Sequence, residues 1–246
     1  SPIEPEWLLD LFPDRVTERT SVEWNRKAER VEGASALLFG GLAMEEGRDG
    51  PVDADQAARL LAEKAVEAGV GRFAEPDDVA ELTTRLAFAA EHSSVPPPAG
   101  DDVNLALVSL CNGLRSFAEL KEAAGRGGLE RALLSRLDAR ASRELREVAP
   151  EKIRLPGGRF VRVRYAAGRP PWISSRLQDF FGMRETPRVA RGAVPLVVHL
   201  LAPNQRPVQT TSDLAGFWTR LYPQVRRELR RRYPRHSWPE YPVGGE

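Results

Sequence analysis

Cysteine is almost missing from this chain. The single Cys111 rules out an internal disulfide and points to a reducing compartment. Set in the apolar run LALVSLCNGL, it is expected to be a small buried side chain rather than a reactive thiol. Lysine is scarce as well: Lys27, Lys64, Lys121 and Lys152 are the only four among 36 basic residues. No run approaches the roughly 18 apolar residues of a membrane span, and no signal-peptide pattern opens the sequence. A cytoplasmic chain without membrane contact is therefore expected. Catalytic signatures are missing too. No lysine follows a glycine, so there is no phosphate-cradling P-loop, and GxGxxG, HExxH and GxSxG do not occur. His92, His199, His236 and Cys111 are too scattered to suggest a zinc site, and His199, inside an apolar run, is expected to be a satisfied core histidine. The residues point to a chain that is not an enzyme by itself and has no cofactor or metal site of its own.

What is present fits a folded protein. The 246 residues are 41% apolar and 29% charged, which is ordinary for a globular chain of one or two domains. The net charge of +1 hides a split. Residues 151–246 carry 18 Lys and Arg against 7 Asp and Glu, a net of +11, while residues 1–150 carry 18 against 28, a net of −10. Such a split suggests either a basic module for nucleic acid or two halves that attract each other. Arginine offers a planar fork suited to phosphate, although a GC-rich genome would give the same arginine excess.

Periodicity divides the chain into three regions: 1–50, 51–150 and 151–246. Ile3–Phe12 reads as a short helix, and Thr20–Trp24 and Ala36–Met44 read as two strands. GRDGP at 47–51 reads as a linker. Helices are expected from Val52 to Ala68, Pro76 to His92, Val103 to Gly113, Ser116 to Ala124 and Leu129 to Val148, with SSVPPPAG at 93–100 as a second linker. Beyond Pro150 the pattern turns to strands. Lys152–Leu155 and Phe160–Tyr165 flank a Pro-Gly-Gly turn as a hairpin. Pro171–Ser174 is extended, Ser175–Phe181 reads as a helix closed by Gly182, and Leu196–Leu201 reads as a central strand.

The stretch from Arg206 to Tyr241 says most. Thr210 and Asp213 have the spacing of a capping box. Leu214, Phe217, Trp218, Leu221, Val225 and Leu229 follow at helical steps, which places Arg226, Arg227, Arg230 and Arg231 on the opposite face. Pro223 should kink this helix or restart it. Arg159, Arg162 and Arg164 of the hairpin, with Arg235 and Trp238 after the helix, complete the candidate nucleic-acid-binding set. Trp172 and Tyr241 are further surfaces on which a base could stack. Three readings of the arginine face stay open: a merely solvated face, phosphate contact, and an internal acidic partner.

Three pieces carry a family resemblance: RLQDFFG at 176–182, PLVVHLLAPNQRPVQTTSDLAGFW at 195–218 and RRYPRHSWP at 231–239. In this order and spacing they resemble the C-terminal region of bacterial HrpB-type ATP-dependent helicases. EPEWLLDLFPDRV at 4–16 and FGGLAMEE at 39–46 resemble what precedes it. The resemblance implies a superfamily-2, DEAH-like parent whose motor lobes lie before residue 1 and bind ATP and magnesium. It implies that residues 1–50 are the last part of an OB-like domain, 51–150 a helical region and 151–246 a basic α+β module with antiparallel strands. The fold class expected is thus α+β. The partners it implies are single-stranded RNA or DNA and the motor domains, with self-association possible through unpaired strand edges. The rival reading is a structural module whose basic face docks on the acidic half, on the motor or on another protein.

Overall fold

The structure, a computed structural model, describes residues 13–47 and 50–244. The helix expected over Ile3–Phe12 lies outside the described residues, as do Arg48 and Asp49 of the expected linker. The chain folds into two compact units, Ser1–Val79 with Ala99–Arg136, and Ala80–Pro98 with Leu137–Glu246. The class is α+β, as the sequence implied. No helix among the described residues is long and apolar enough to cross a membrane.

The first unit joins a three-stranded meander to short helices. Strands β1 (Val16–Asn25), β2 (Arg30–Phe39) and β3 (Leu42–Gly47) pair antiparallel in sequence order. The second strand expected from the sequence, Ala36–Met44, is in fact the end of β2, a turn and β3. Gly40 and Gly41 both have left-handed φ, 59° and 93°, the geometry of the tight hairpin turn that suits the twist of paired strands. Gly33 in β2 is a glycine for a different reason. A Cβ there would lie 1.9 Å from the Gly50 carbonyl oxygen, so only a bare α-carbon lets the two segments meet.

Helix α1 (Ala54–Ala68) starts where Asp53 accepts a hydrogen bond from the Gln56 amide, and it stops at Gly69, whose φ is 82°. Helix α2 (Pro76–His92) begins in this unit and runs on into the second. Helices α3 (Asp102–Leu110), α4 (Phe117–Ala124) and α5 (Gly128–Leu134) follow. A complete capping box, Ser116 with Glu119, opens α4. The Val31 amide donates to the Arg115 carbonyl at 2.7 Å and the Phe117 amide to the Glu29 carbonyl at 3.0 Å. These bonds tie the β1–β2 hairpin to the start of α4. Rings of Trp24 and Phe73 lie 4.7 and 5.0 Å from Phe117.

The single helix expected from Leu129 to Val148 is two. Its apolar spacing survives, but the chain leaves α5 at Ser135 and restarts as α6 (Ala139–Val148) with Asp138 capping the Ala141 amide. A side chain that satisfies an amide at a helix start competes with helix continuation, and here it wins.

The second unit contains most of α2, α6 and the remaining strands. Strands β4 (Lys152–Arg154) and β5 (Phe160–Arg162) form the expected hairpin. Beyond it, β6 (Trp172–Arg176) pairs parallel with β9 (Val197–Leu201), and β10 (Pro207–Thr211) pairs antiparallel on the other side of β9. The apolar run VVHLL is thus the central strand, as expected. A small hairpin, β7 (Arg188–Val189) with β8 (Val194–Pro195), lies between β6 and β9 in the chain. The expected helix Ser175–Phe181 is shorter. Ser175 and Arg176 finish β6, and only Leu177–Phe180 form a 3-10 turn. The parallel register with β9 runs through to Arg176↔Leu201, and this pairing keeps those two residues out of a helix.

Candidate nucleic-acid interface

The basic segment is set up by its cap. Asp213, not Thr210, is the N-cap, and its carboxylate accepts from the Gly216 amide at 2.8 Å. Thr210 is instead a β10 residue whose hydroxyl meets His199 Nδ1 at 2.9 Å, so the expected capping box does not form. His199 is satisfied by that contact but is half-buried rather than in the core its apolar surroundings suggested, because strand alternation turns it away from the buried side of Val198 and Leu200. The Gly216 amide and the Arg220 guanidinium hold the Asp213 carboxyl below its ordinary range. Its contribution to stability is therefore present above the usual aspartate pKa and is lost as the pH falls through the depressed value.

One helical turn (Leu214–Gly216) leads into a π-helical stretch (Phe217–Leu221) and then α7 (Tyr222–Arg232). Pro223 sits in the first turn of α7. It has no amide to donate, so the ladder widens by one residue just before it. The widening rotates the apolar face. Leu221, expected inward, is 42% exposed, and Tyr222 takes its place at 1%. Tyr222 is packed by Phe181, Phe217 and Trp218, with ring centroids 6.2, 6.3 and 5.2 Å away. Its hydroxyl donates to the Pro239 carbonyl at 2.8 Å, and burial pushes its pKa up to about 12.

The tail folds back onto this helix. Arg226 Nε donates to the Trp238 carbonyl at 2.9 Å, and the Trp238 indole donates to the Tyr233 carbonyl at 3.0 Å. The Gly182 amide donates to the Pro242 carbonyl at 2.7 Å. Trp238 is thereby buried, at 7% exposure, and it offers no open ring face to a base.

The candidate arginines fall into two groups. Arg227, Arg230, Arg231 and Arg235 are exposed, and among the described residues no hydrogen bond or ion pair engages their side chains. Residues 227, 230 and 231 are three and four apart, so they line one stripe of α7. The lone acid of the helix, Glu228, forms no ion pair among the described residues. The hairpin arginines are held instead. Arg162 Nη2 and Arg164 Nη1 both donate to Glu81 Oε2, at 3.0 and 2.7 Å, and Arg159 Nη1 reaches Asp179 Oδ2 at 3.2 Å. Arg226 spends its Nε on the Trp238 carbonyl.

Glu81 and Asp179 escaped the sequence reading because Glu81 lies 81 residues from Arg162 and Asp179 lies 20 from Arg159, beyond any local pattern. Arg85 escaped it too. It sits on the inward face of α2, 4% exposed, with Nε on the Ala149 carbonyl and Nη1 on Glu151. Its spacing from Leu82 and Ala89 marks that face, but an arginine there reads as solvated until a carboxylate is known to follow at 151.

Because the Glu81 pairs are half-exposed, they contribute little stability, about 0–1 kcal/mol each. Glu81→Gln is therefore expected to leave the thermal midpoint nearly unchanged while freeing two guanidinium groups. If the hairpin adjoins a bound polyanion, oligonucleotide affinity at low salt rises several-fold in this variant. An unchanged titration would place Arg162 and Arg164 outside the contact surface.

The α+β scaffold thus seats a helix whose outer side carries an open cationic stripe, and no metal-binding cluster occurs among the described residues. The chain belongs to the ATP-dependent helicase C-terminal family, HrpB_C, which matches residues 107–242. It is 29% identical to the ATP-dependent RNA helicase HrpB of Escherichia coli K12 over 98% of this chain and 30% of that protein. A crystal structure of E. coli DExH-box NTPase HrpB superposes with a TM-score of 0.64 at 28% identity, over 99% of this chain and 31% of that one. A second, of the E. coli DEAH/RHA helicase HrpB, gives 0.57 at 26% identity, over 91% and 29%. The chain thus spans about 30% of the length of the relatives it matches.

Proposed function

We propose that this chain is the non-catalytic C-terminal region of a cytoplasmic ATP-dependent helicase, and that it holds single-stranded RNA or DNA through the arginine stripe of α7. ATP and magnesium would then act in the motor domains of the parent protein, the natural partners of this region, and nothing in the chain would touch them. The observation that carries this is the set of four exposed guanidinium groups, Arg227, Arg230, Arg231 and Arg235, without a carboxylate partner among the described residues. Such groups grip phosphate whatever the sequence, as a motor that moves along a strand requires. A titration of labelled single-stranded RNA and DNA at two salt concentrations tests it. Binding that weakens steeply with salt supports the grip, and no binding at low salt removes it.

The docking alternative is favoured by one observation, that the hairpin arginines take protein carboxylates as partners. On that reading the α7 stripe seats on an acidic surface of the motor and controls it. Oligonucleotide binding would then be absent, while the motor domains would bind this chain in a salt-sensitive way.

A further inference from the structure

We propose that the outward face of the β10–β9–β6 sheet is a base-stacking platform for a single nucleic-acid strand, with Trp172 as the stacking ring. This deepens the nucleic-acid reading above and rests on it, but it concerns a different surface and a different part of the ligand.

Alternation defines the face. Ile173, Ser175, Val198 and Leu200 are buried, so their neighbours along each strand point the other way. Register then aligns the outward residues across strands: Trp172 beside Val197, Ser174 beside His199, and His199 beside Thr210. Arg176 lies at the end of the same row, exposed and without a partner among the described residues. Backbone bonds between Arg164 and Trp172, 2.8 and 3.1 Å, extend the sheet to the hairpin. None of these outward positions is acidic, so the face suits a polyanion.

Trp172 differs from the other two tryptophans of this unit. Trp218 and Trp238 are each 7% exposed, and their indole N–H groups donate to the Met183 and Tyr233 carbonyls. A buried tryptophan normally finds such an acceptor. Trp172 is more exposed, and among the described residues its N–H has none. His199 meets it in a T-shaped pair, with centroids 6.5 Å apart and planes at 80°. The Thr210 hydroxyl fixes the imidazole through Nδ1. The result is a braced aromatic surface with Arg176 about two outward positions along the strand, at roughly 7 Å for each. A base can lie on the indole while a phosphate further along the same strand meets the guanidinium. Stacking on such a surface is tolerant of base identity because every base has a π face.

The test compares two labelled single-stranded oligomers of equal length, one carrying bases and one abasic, against the 246-residue chain. The wild type is expected to bind the base-bearing oligomer about tenfold more tightly. Trp172→Leu should bring that ratio close to one while leaving abasic affinity and the thermal midpoint in place, and Trp172→Phe should retain most of the preference. Equal binding of both oligomers by the wild type, or an unmoved ratio in Trp172→Leu, overturns the platform but leaves the α7 grip standing. Loss of affinity for both oligomers together with a lowered midpoint in Trp172→Leu assigns the ring to packing and also overturns the platform. Failure of both oligomers to bind the wild type overturns the platform and the nucleic-acid reading together.

Discussion

Changing Arg227, Arg230, Arg231 and Arg235 together to glutamate is expected to reduce affinity for a single-stranded oligonucleotide by about a hundredfold or more at low salt. Each guanidinium that meets a phosphate makes a charge-assisted hydrogen bond worth about 1.5–3 kcal/mol and releases a condensed counterion. For single strands the log–log dependence of affinity on salt steepens by roughly 0.7 per neutralised phosphate. Four lost contacts should therefore flatten the slope by about 3. The glutamate variant also places anions at positions 230 and 231, in the last turn of α7, which costs about 0.3–1 kcal/mol at each of these two sites through the helix dipole. The corresponding glutamine variant removes the cations without that penalty, so its slope is the cleaner readout. If both variants bind with the wild-type slope, the stripe is not the phosphate contact.

The effect should be confined to binding. The four side chains make no hydrogen bond or ion pair among the described residues, so the thermal midpoint of the glutamine variant should stay close to that of the wild type. The hairpin arginines are different. Arg159 pairs with Asp179, and Arg162 and Arg164 share the one carboxylate of Glu81, so a polyanion would have to compete with a carboxylate at each of them. The basic surplus of residues 151–246 is thus divided between groups without a protein partner among the described residues and groups already paired with carboxylates.

That division shows what could be read from the residues alone and what could not. The arginine stripe, the β4–β5 hairpin and the central strand Val197–Leu201 were all legible because each is a local pattern: helical steps, a glycine turn, an unbroken apolar run. Helix starts at Asp53, Pro76 and Ser116 were legible for the same reason. Expectation failed where a local pattern was outvoted. Thr210 and Asp213 have capping-box spacing, but pairing with His199 draws Thr210 into β10. Leu221 fits an unbroken helical period, but the amide missing from Pro223 inserts a wide turn and hands the inward position to Tyr222. The helix expected over Leu129–Val148 reads as continuous because its leucines stay in phase across the break, while the cap at Asp138 leaves no apolar trace. Glu81, Asp179 and Arg85 act through long-range pairs that no window along the chain contains.

Tyr222 is the residue on which the arginine stripe depends, and Tyr222→Ala is expected to be the most damaging single substitution in this segment. Removing a fully buried aromatic ring typically costs about 3–5 kcal/mol through lost burial and the cavity left behind. Here the ring meets Phe181, Phe217 and Trp218, and its hydroxyl pins the returning tail at Pro239. Its loss should loosen both α7 and the tail that carries Arg235, so oligonucleotide affinity should fall although no arginine has changed. Tyr222→Phe separates the two contributions. It keeps the ring but leaves the Pro239 carbonyl without its donor, at a cost of about 1–3 kcal/mol. The phenol also gives a pH signature. Burial raises its pKa to about 12 in the folded chain, above the ordinary value near about 10. Its contribution is therefore complete below about pH 10 and is lost as the pH rises toward about 12, because the unfolded chain releases the proton first. Denaturant unfolding followed across that alkaline window should show a steeper loss of stability in the wild type than in Tyr222→Phe. Parallel curves would mean that the hydroxyl is not buried in the folded chain, and with it the account of how the helix is anchored would fall.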